Sequence, residues 1–397
     1  MRVSTMSTYL NGLTAMQRLQ SALDQTQRQI STGRRILTPS DDPIASARAL
    51  EMRESIARLQ QFDRNAGIAQ NRLAQEESAL ASVNDVLQRV RELAIQANNA
   101  TQSDESRSAI SVEMRQLLDG LVQIANQKDG NGRYMFSGLM EDTQPVTRVG
   151  GAFNYNGDQG QRFIQIGESR QLPDGDSGAD VFFRIRAGNG AFISSPAAAN
   201  TGTGVLGAGS VTDPTQWDQG QYTVTFIDPD NYEVRDSGGA LVTAGTFDPG
   251  DTIAFRGIEF AIDGEPAAGD QFDIAASPLR DVFTAIDNLI AAVEMPANDG
   301  TARAAMNNGI NAGVLDIDRA IDNILDVRTK VGSRLAAIEK QVDDNGALVL
   351  TLQDTVASIE DLDYAEALSR LSQQLTTLEA AQQSFVRTQG ISLFNYL

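Results

Sequence analysis

The 397-residue chain contains no cysteine and no histidine. The first absence excludes disulfides and thiol nucleophiles in whatever compartment the protein works. The second removes imidazole as a base, as a metal ligand and as a triad member. Only carboxylate, Lys, Tyr or Ser/Thr chemistry stays open, and lysine is scarce: Lys128, Lys330 and Lys340 stand against 29 Arg. Arginine makes planar multidentate contacts suited to packed interfaces, where lysine offers a flexible point charge; a compositional bias of the genome gives the same ratio. No stretch approaches the roughly 18 consecutive apolar residues of a membrane span, so no membrane insertion is expected. The opening MRVSTMSTYLNGLTAMQRLQ has neither the continuous apolar core nor the small-residue cleavage site of a secretory signal. Sequence rules alone would therefore place the protein in the cytoplasm. A net charge of −20 argues against nucleic acid, whose binders neutralise phosphates with a basic surface. The charge is uneven: residues 1–64 carry nine Arg against six acids, and residues 141–277 carry seven Arg against twenty. An acidic middle of that kind reads as a solvated outer surface.

What is abundant is heptad spacing, at both ends of the chain. Tyr9, Leu13, Met16, Gln20, Leu23, Gln27 and Ile30 are spaced 4-3-4-3-4-3, and Tyr364, Leu368, Leu371, Leu375, Leu378, Gln382 and Phe385 repeat the rhythm. A 3.5-residue apolar period makes two helices wrap around each other, so the two ends are expected to pair. The glutamines are either tolerated or set register and partner choice at some cost in stability. The first seam breaks at Ser31–Pro43. Gly33 there suits a helix C-terminus, and Ser40, Asp41 or Asp42 can cap a helix with Pro43 at or near its first position.

A second seam runs through Leu59, Phe62, Ala66, Ala69, Leu73, Glu76, Leu80, Val83, Leu87, Val90, Ala94 and Ala97. A further helix follows Asn98–Thr101 with Ile110, Leu117, Leu121 and Ile124. The C-terminal half mirrors the plan. Leu279, Val282, Ile286, Leu289 and Val293 mark one helix, stopped by Pro296. Ile310 to Ile359 keep the 4-3 rhythm through Arg328 and Asn345 until Asp361-Leu-Asp363 breaks it. Arg328 either reaches an acidic partner across its seam or snorkels to solvent.

Between the helical halves, residues 141–277 hold 21 of the 34 glycines and seven of the 11 prolines. Runs at Arg162–Ile166, Val181–Arg186, Tyr222–Ile227, Gly257–Ile262 and Gln271–Ile274 read as strands of an antiparallel insertion. Residues 194–210 read as a flexible surface loop. The expected fold class is mainly α with a β insertion. Its parts are a terminal coiled coil (1–42 plus 360–397), a helical rod (43–140 plus 278–359) and a β-rich outer domain (141–277).

No motif carries chemistry. Gly202-Thr-Gly204-Val-Leu-Gly207 matches the dinucleotide fingerprint formally, but that motif needs a strand before it and a helix after it. Pro196 with an Ala-rich run precedes it and Pro214 follows, so it reads as a loop and no cofactor is expected. Asp228-Pro-Asp230-Asn231 and Asp343-Asp344-Asn345 lack the Gly and Glu of a calcium loop, and no metal is expected. Asn99-Ala-Thr101 is a formal glycosylation triplet in a helix break where Asn and Thr are already favoured locally.

Several stretches resemble the flagellin superfamily. They are the first fifty residues, Arg91-Glu-Leu-Ala-Ile-Gln-Ala-Asn98, Gly132-Arg-Tyr-Met-Phe-Ser-Gly138, Tyr155-Asn-Gly-Asp158, Val331-Gly-Ser-Arg334 and Ser392-Leu-Phe-Asn-Tyr-Leu397. Gln27–Gly33 joined to Pro39-Ser-Asp-Asp-Pro43 is similar to the hook–filament junction branch rather than to filament-forming flagellins. The resemblance covers about 1–185 and 278–397. It implies a structural subunit without a catalytic site, placed in the bacterial flagellum and exported through the flagellum's own channel without a cleaved signal, against the cytoplasmic reading above. Implied partners are other copies in a ring or tube, a neighbouring hook-associated junction protein, flagellin and a flagellar export chaperone. The alternatives are a filament-forming flagellin, a carboxylate-pair enzyme in the β insertion and a free-standing adhesin.

One two-helix seam of about four heptads offers few apolar contacts. Each buried Leu contributes ~1.5–3 kcal/mol, against ~1–2 kcal/mol of backbone entropy per ordered residue. The terminal segments are therefore expected to be unfolded in the free subunit and to fold when neighbours cover them. The expected assembly interface is Tyr9, Leu13, Met16, Gln20, Leu23, Gln27, Ile30, Leu368, Leu371, Leu375, Leu378, Gln382 and Phe385. Arg34, Arg35, Asp41 and Asp42 are expected to make an inter-subunit polar contact; a plain connecting loop is the simpler reading.

Overall fold

A computed structural model describes residues 5–390; the closing Ser392–Leu397 motif lies outside the described residues. Six helices carry most of the chain: α1 (Thr5–Thr32), α2 (Pro43–Ala97), α3 (Asp104–Ala125), α4 (Val282–Val293), α5 (Gly300–Glu360) and α6 (Tyr364–Gly390). Packing groups them into two compact units, the residues up to Arg64 with those from Gln341 onward, and Asn65–Lys340. This differs from the three-part division expected from composition, because the β insertion shares a unit with α3, α4 and much of α2 and α5.

In the Asn65–Lys340 unit the expected seams are the core. Ala66, Ala69, Leu73, Leu80, Val83, Leu87, Val90, Ala94 and Ala97 of α2 are fully buried, as are Ile310, Ile317, Ile324, Val331 and Ile338 of α5. Arg328 reaches across: its Nε and Nη2 donate to Glu77 Oε1 at 2.9 and 2.6 Å. Arg91 does the same with Asp318 at 2.5 Å. Ser103 caps α3 by accepting from the Ser106 amide, and Asp281 caps α4 by accepting from the Thr284 amide. Leu279, expected in that helix, instead pairs with Arg186 in a short ladder.

The β region comprises fifteen short strands. Two hairpins come from β1 (Val146–Val149) with β2 (Ala152–Tyr155) and β3 (Phe163–Gln165) with β4 (Gln171–Pro173), and β5 (Ile185–Arg186) pairs antiparallel with the sequence-distant β15 (Leu279–Arg280). The strands β6 (Phe192–Pro196), β9 (Tyr222–Asp228), β10 (Asn231–Asp236), β11 (Leu241–Thr246) and β14 (Gln271–Ala276) form one antiparallel sheet in the order β11-β10-β9-β14-β6. A second sheet joins β12 (Thr252–Phe255), β13 (Ile258–Asp263) and β7 (Val205–Leu206), with β8 (Ser210–Val211) also pairing β13. Alternate residues of both sheets share one aromatic core, including Val224, Phe226, Phe260, Ile262 and Phe272.

Two expectations fail here for identifiable reasons. Val181–Arg186 is not one strand; Ala179–Phe183 is a π turn before β5. A strand would send Phe182 and Phe183 to opposite faces, whereas both rings meet Phe283, at 5.7 and 5.6 Å. Residues 194–210 are not a free loop. Thr201 and Gly202 amides donate to the buried Asp270 carboxylate at 2.7 and 3.0 Å. Asn308 of α5 accepts from the Leu206 amide at 2.7 Å and donates to the Gly204 carbonyl at 2.9 Å. The glycines of the formal fingerprint therefore serve a backbone clamp. Asp270→Ala removes the acceptor for these amides and for Ala267. It should lower stability by about 2 kcal/mol in urea denaturation and open the 198–204 stretch to protease.

Candidate assembly interface

The unit formed by the two chain ends is built around two helix breaks that clasp each other. Helix α1 ends where Gly33 takes φ +71°, a left-handed turn that costs an L side chain about 1–2 kcal/mol, and its amide donates to Gln29 O at 2.9 Å. Past that turn the chain runs antiparallel to the other break: Arg35 N donates to Glu360 O at 2.7 Å and Leu362 N to Gly33 O at 2.9 Å. Side chains complete the joint. The Arg35 guanidinium donates to Ile359 O at 2.8 Å and lies 3.5 Å from Asp42, and Arg53 pairs with Glu360. Asp42 accepts from the Ala45 amide at 3.0 Å, capping α2 with Pro43 as its first residue. Asp363 caps α6 in the same way, accepting from Ala365 and Glu366. Asp41 accepts from the Thr38 and Leu37 amides at 2.8 and 3.0 Å; these two bonds hold its carboxyl below the usual carboxylate range.

Of the four residues expected in an inter-subunit polar contact, Arg35, Asp41 and Asp42 thus have partners within their own chain. Arg34 forms the backbone bridge to Asp361, and among the described residues its guanidinium has none.

The terminal helices do pair, and their heptad period is the expected one. The inner stripe of α1 is Gly12, Met16, Leu19, Leu23, Thr26 and Ile30; that of α6 is Ala367, Leu371, Gln374, Leu378, Ala381 and Phe385. One heptad class (Met16, Leu23, Ile30; Leu371, Leu378, Phe385) agrees with expectation. The other is displaced by one residue. Gln20, Gln27, Gln382, Leu368 and Leu375 are exposed, while Leu13 is half-buried. The physical reason is close approach. The inner class is small or compact, and a Cβ on Gly12 would lie 3.0 Å from the Phe385 ring. Tyr9, although 42% exposed, lies tilted against the Phe385 ring at 5.4 Å. The three glutamines therefore do not set the register of this pair. Asn345 does sit inside its seam: it is buried, accepts from Gln341 and donates to Asp63, both at 2.9 Å.

What remains outside is an apolar surface. Leu10, Ile44, Leu50, Leu348, Leu350, Tyr364, Leu368, Leu375 and Val386 are all exposed, so the unit covers one side of each terminal helix and leaves leucines on another. Isolated exposed leucines are ordinary; a recurring series along paired helices is a candidate interaction surface. No group of three or more His, Cys, Asp or Glu among the described residues could hold a metal.

In the other unit, the stretches that carried the resemblance are structural. Tyr155 Oη sits between the carbonyls of Phe136 and Asp158 at 2.9 and 2.8 Å. Its burial pushes its pKa up to about 12. Asp158 in turn accepts from the Leu139 amide at 2.8 Å.

Comparison with known proteins agrees with this architecture. Residues 3–141 match the bacterial flagellin N-terminal helical region and residues 314–397 the bacterial flagellin C-terminal helical region. These define the class: a flagellin-type chain whose helical ends flank a β-rich middle. The chain is 38% identical to the crystal structure of Xanthomonas campestris FlgL, covering 77% of this chain and 99% of that one with a TM-score of 0.72. It is 32% identical to the flagellar junction protein FlgL from Legionella pneumophila, covering 80% and 100% with a TM-score of 0.73. Flagellar hook-associated protein 3 of Escherichia coli (strain K12) is 26% identical over 399 residues, 99% of each chain. The chain belongs to the FlgL family, the flagellar hook-associated protein 3 family within the flagellin superfamily. This is a family of structural proteins of the flagellum and not of enzymes.

Sequence reasoning missed the clasp. Its signal was present in the two matched breaks, 31–43 and 361–363, but sequence could not show that one docks on the other. Gly33→Ala places a Cβ 2.9 Å from the Tyr364 hydroxyl at a positive φ. In the assembled protein, where the joint is ordered, the strain of about 1–2 kcal/mol should cut hydrogen-exchange protection of the Arg35 and Leu362 amides roughly 5–30-fold.

Proposed function

We propose that the chain forms the junction between the flagellar hook and the filament and offers flagellin its first assembly surface. As a hook-associated protein it is a component of the flagellum and assembles with other flagellar components. The observation that carries the finer reading is the apolar series left uncovered on the terminal pair, Leu368, Leu375, Leu10 and Tyr9. A chain that buries one stripe of each terminal helix needs neighbours to bury the rest. Those neighbours are further copies of the chain in a ring or short tube, the adjoining hook-associated junction protein on one side and flagellin on the other. The interface comprises the sequence-derived set from Tyr9 to Ile30 and from Leu368 to Phe385, with Gln20, Gln27 and Gln382 on the outward side and Arg34 free to meet an acidic group of the next subunit. Arg35, Asp41 and Asp42 support the clasp that aims these helices.

The terminal segments fold fully only on assembly. Among the described residues, Leu23, Ala367 and Leu378 are the buried apolar ones of the α1–α6 pair, too little to offset the ordering of two long helices. Export through the flagellar channel as an unfolded chain, with a dedicated chaperone and without a cleaved signal, follows the same logic. A filament-forming flagellin is the competing reading. Its purified subunits elongate alone into long filaments, whereas a junction subunit stops at a short zone on a hook.

Replacing Leu368 and Leu375 together by Glu should leave the melting temperature of the free protein within 2 °C, since both are exposed. Complementation of a chromosomal deletion with this variant should give hooks without filaments and flagellin shed into the medium. Normal filaments on such cells would exclude this surface from assembly. In the wild-type monomer, amide exchange across 5–40 and 365–390 should be fast, and strong protection there would defeat the coupled-folding mechanism.

A further inference from the structure

Glu76 lies in the buried stripe of α2 between Leu73 and Leu80 and is 3% exposed. One oxygen, Oε1, accepts from the Asp176 amide at 3.0 Å; the other is buried and has no hydrogen-bond partner. The groups that face it come from four places. Arg72 is one turn earlier on α2, Asp129 follows α3, Asp174 and Asp176 follow β4, and Arg334 comes from α5. Every nearby cation is engaged elsewhere. Arg334 forks onto Asp176 at 2.8 and 2.9 Å. Arg72 lies 3.5 Å from Asp129, 2.9 Å from Glu141 and 3.3 Å from Asp174. Arg162 bridges Glu141 and Asp174, and Arg133 reaches Glu141 at 2.5 Å. Five carboxyls (Glu76, Asp129, Glu141, Asp174, Asp176) thus share four guanidiniums (Arg72, Arg133, Arg162, Arg334), and Glu76 is the carboxyl that none of them contacts. A cavity of about 10 Å³ adjoins it, between Arg72, Asp129, Asp174 and Gly175, room for one water at most.

We infer that Glu76 is a buried proton-binding site: it is held as the neutral acid in the folded protein, and loss of its proton at alkaline pH loosens the Asp174–Ser177 turn from α2. Burying an unpaired carboxylate is far costlier than burying the acid. With one acid neutral, the remaining four carboxylates match the four guanidiniums. Burial first, and the neighbouring Asp176 charge second, push the Glu76 pKa up from 4.5 to about 8. Because the folded value lies above the unfolded one, the stabilisation is complete below about pH 4.5 and is lost progressively as pH rises through about 8.

The test is urea unfolding of the full chain from pH 5 to 9, wild type against Glu76→Gln, which keeps the shape and removes the titration. The ratio of unfolding constants, wild type over variant, should rise about tenfold per pH unit up to pH 8 and level off beyond. A ratio independent of pH would overturn the inference. Should the variant fail to fold, the wild type labelled with ¹³C at Glu carboxyls answers the same question. One resonance, correlated with the Asp176 amide, should titrate near pH 8, and completion of all Glu titrations below pH 6 would refute it. Asp176→Asn supplies a further readout: it removes the nearest negative charge and should lower that midpoint by at least one pH unit, which a merely structural Glu76 would not do.

Discussion

A helix paired with a single partner buries one stripe of its surface, and everything else about the terminal unit depends on that limit. One heptad class through which helices α1 and α6 meet contains the small residues Gly12, Thr26, Ala367 and Ala381. Close approach through this stripe turns the bulkier heptad class, with Leu368 and Leu375, outward. The pair is consequently well specified and weakly stabilised, since close packing of small residues defines geometry while removing little apolar area from water. A subunit built for a polymer gains from this combination. On the proposed function, the register is set within the chain and most of the burial is left for neighbours to supply.

The clasp between the two breaks solves a different problem. Two long helical segments joined by a pair of short connectors could pivot freely. Here the connectors hydrogen-bond to each other through Arg35 and Leu362, and each starts the next helix with an aspartate cap, Asp42 and Asp363. Such caps act locally, at about 1 kcal/mol each, but they fix where helices begin and so fix the phase of every residue that follows. Polar residues that look like candidates for a partner from outside are thereby committed inside. Arg34, whose neighbour Arg35 carries the joint, keeps its charge for solvent or for another subunit.

Much of this was legible in the sequence because heptad periodicity is a redundant signal. Most buried residues of α2 from Ala66 to Ala97 and one heptad class of α5, Ile310 to Ile338, fall on the expected positions, and even the buried Glu76 occupied a place in that series; in the other class of α5, Ala320 and Val327 are buried in place of the expected Ile321 and Arg328. Redundancy fails where one class must be chosen between two equally apolar neighbours. In α6 the choice lay between Leu368 with Leu375 and Ala367 with Gln374, and a count of hydrophobic residues prefers the leucines. Only the distance of closest approach, set by Gly12 against Phe385, settles it the other way. The β region was legible as a class but not in detail. Strands as short as Val205–Leu206 have no period to detect, and the Asp270 and Asn308 clamps on 201–206 join residues up to 104 positions apart. Phe182 and Phe183 defeat a strand reading because a shared target, Phe283, requires them on the same side.

The two units use the same two long helices for opposite ends. Between Asn65 and Lys340, α2 and α5 are covered by α3, α4 and the β region, and the seam is closed to the point that a carboxyl within it has no cation left to pair with. Beyond those limits the coverage is partial: Ala49, Leu59 and Asn345 are buried, while Ile44, Leu50, Leu348 and Leu350 of the same helices are exposed. Along α5 heptad spacing alone does not distinguish these stretches, since it runs unbroken through both. Coverage does, and it assigns them different thermodynamic roles. The closed stretch carries a hydrophobic core whose stability belongs to the subunit. On the proposed function, the open stretch carries apolar area whose burial belongs to the assembly, and its contribution depends on the concentration of partners.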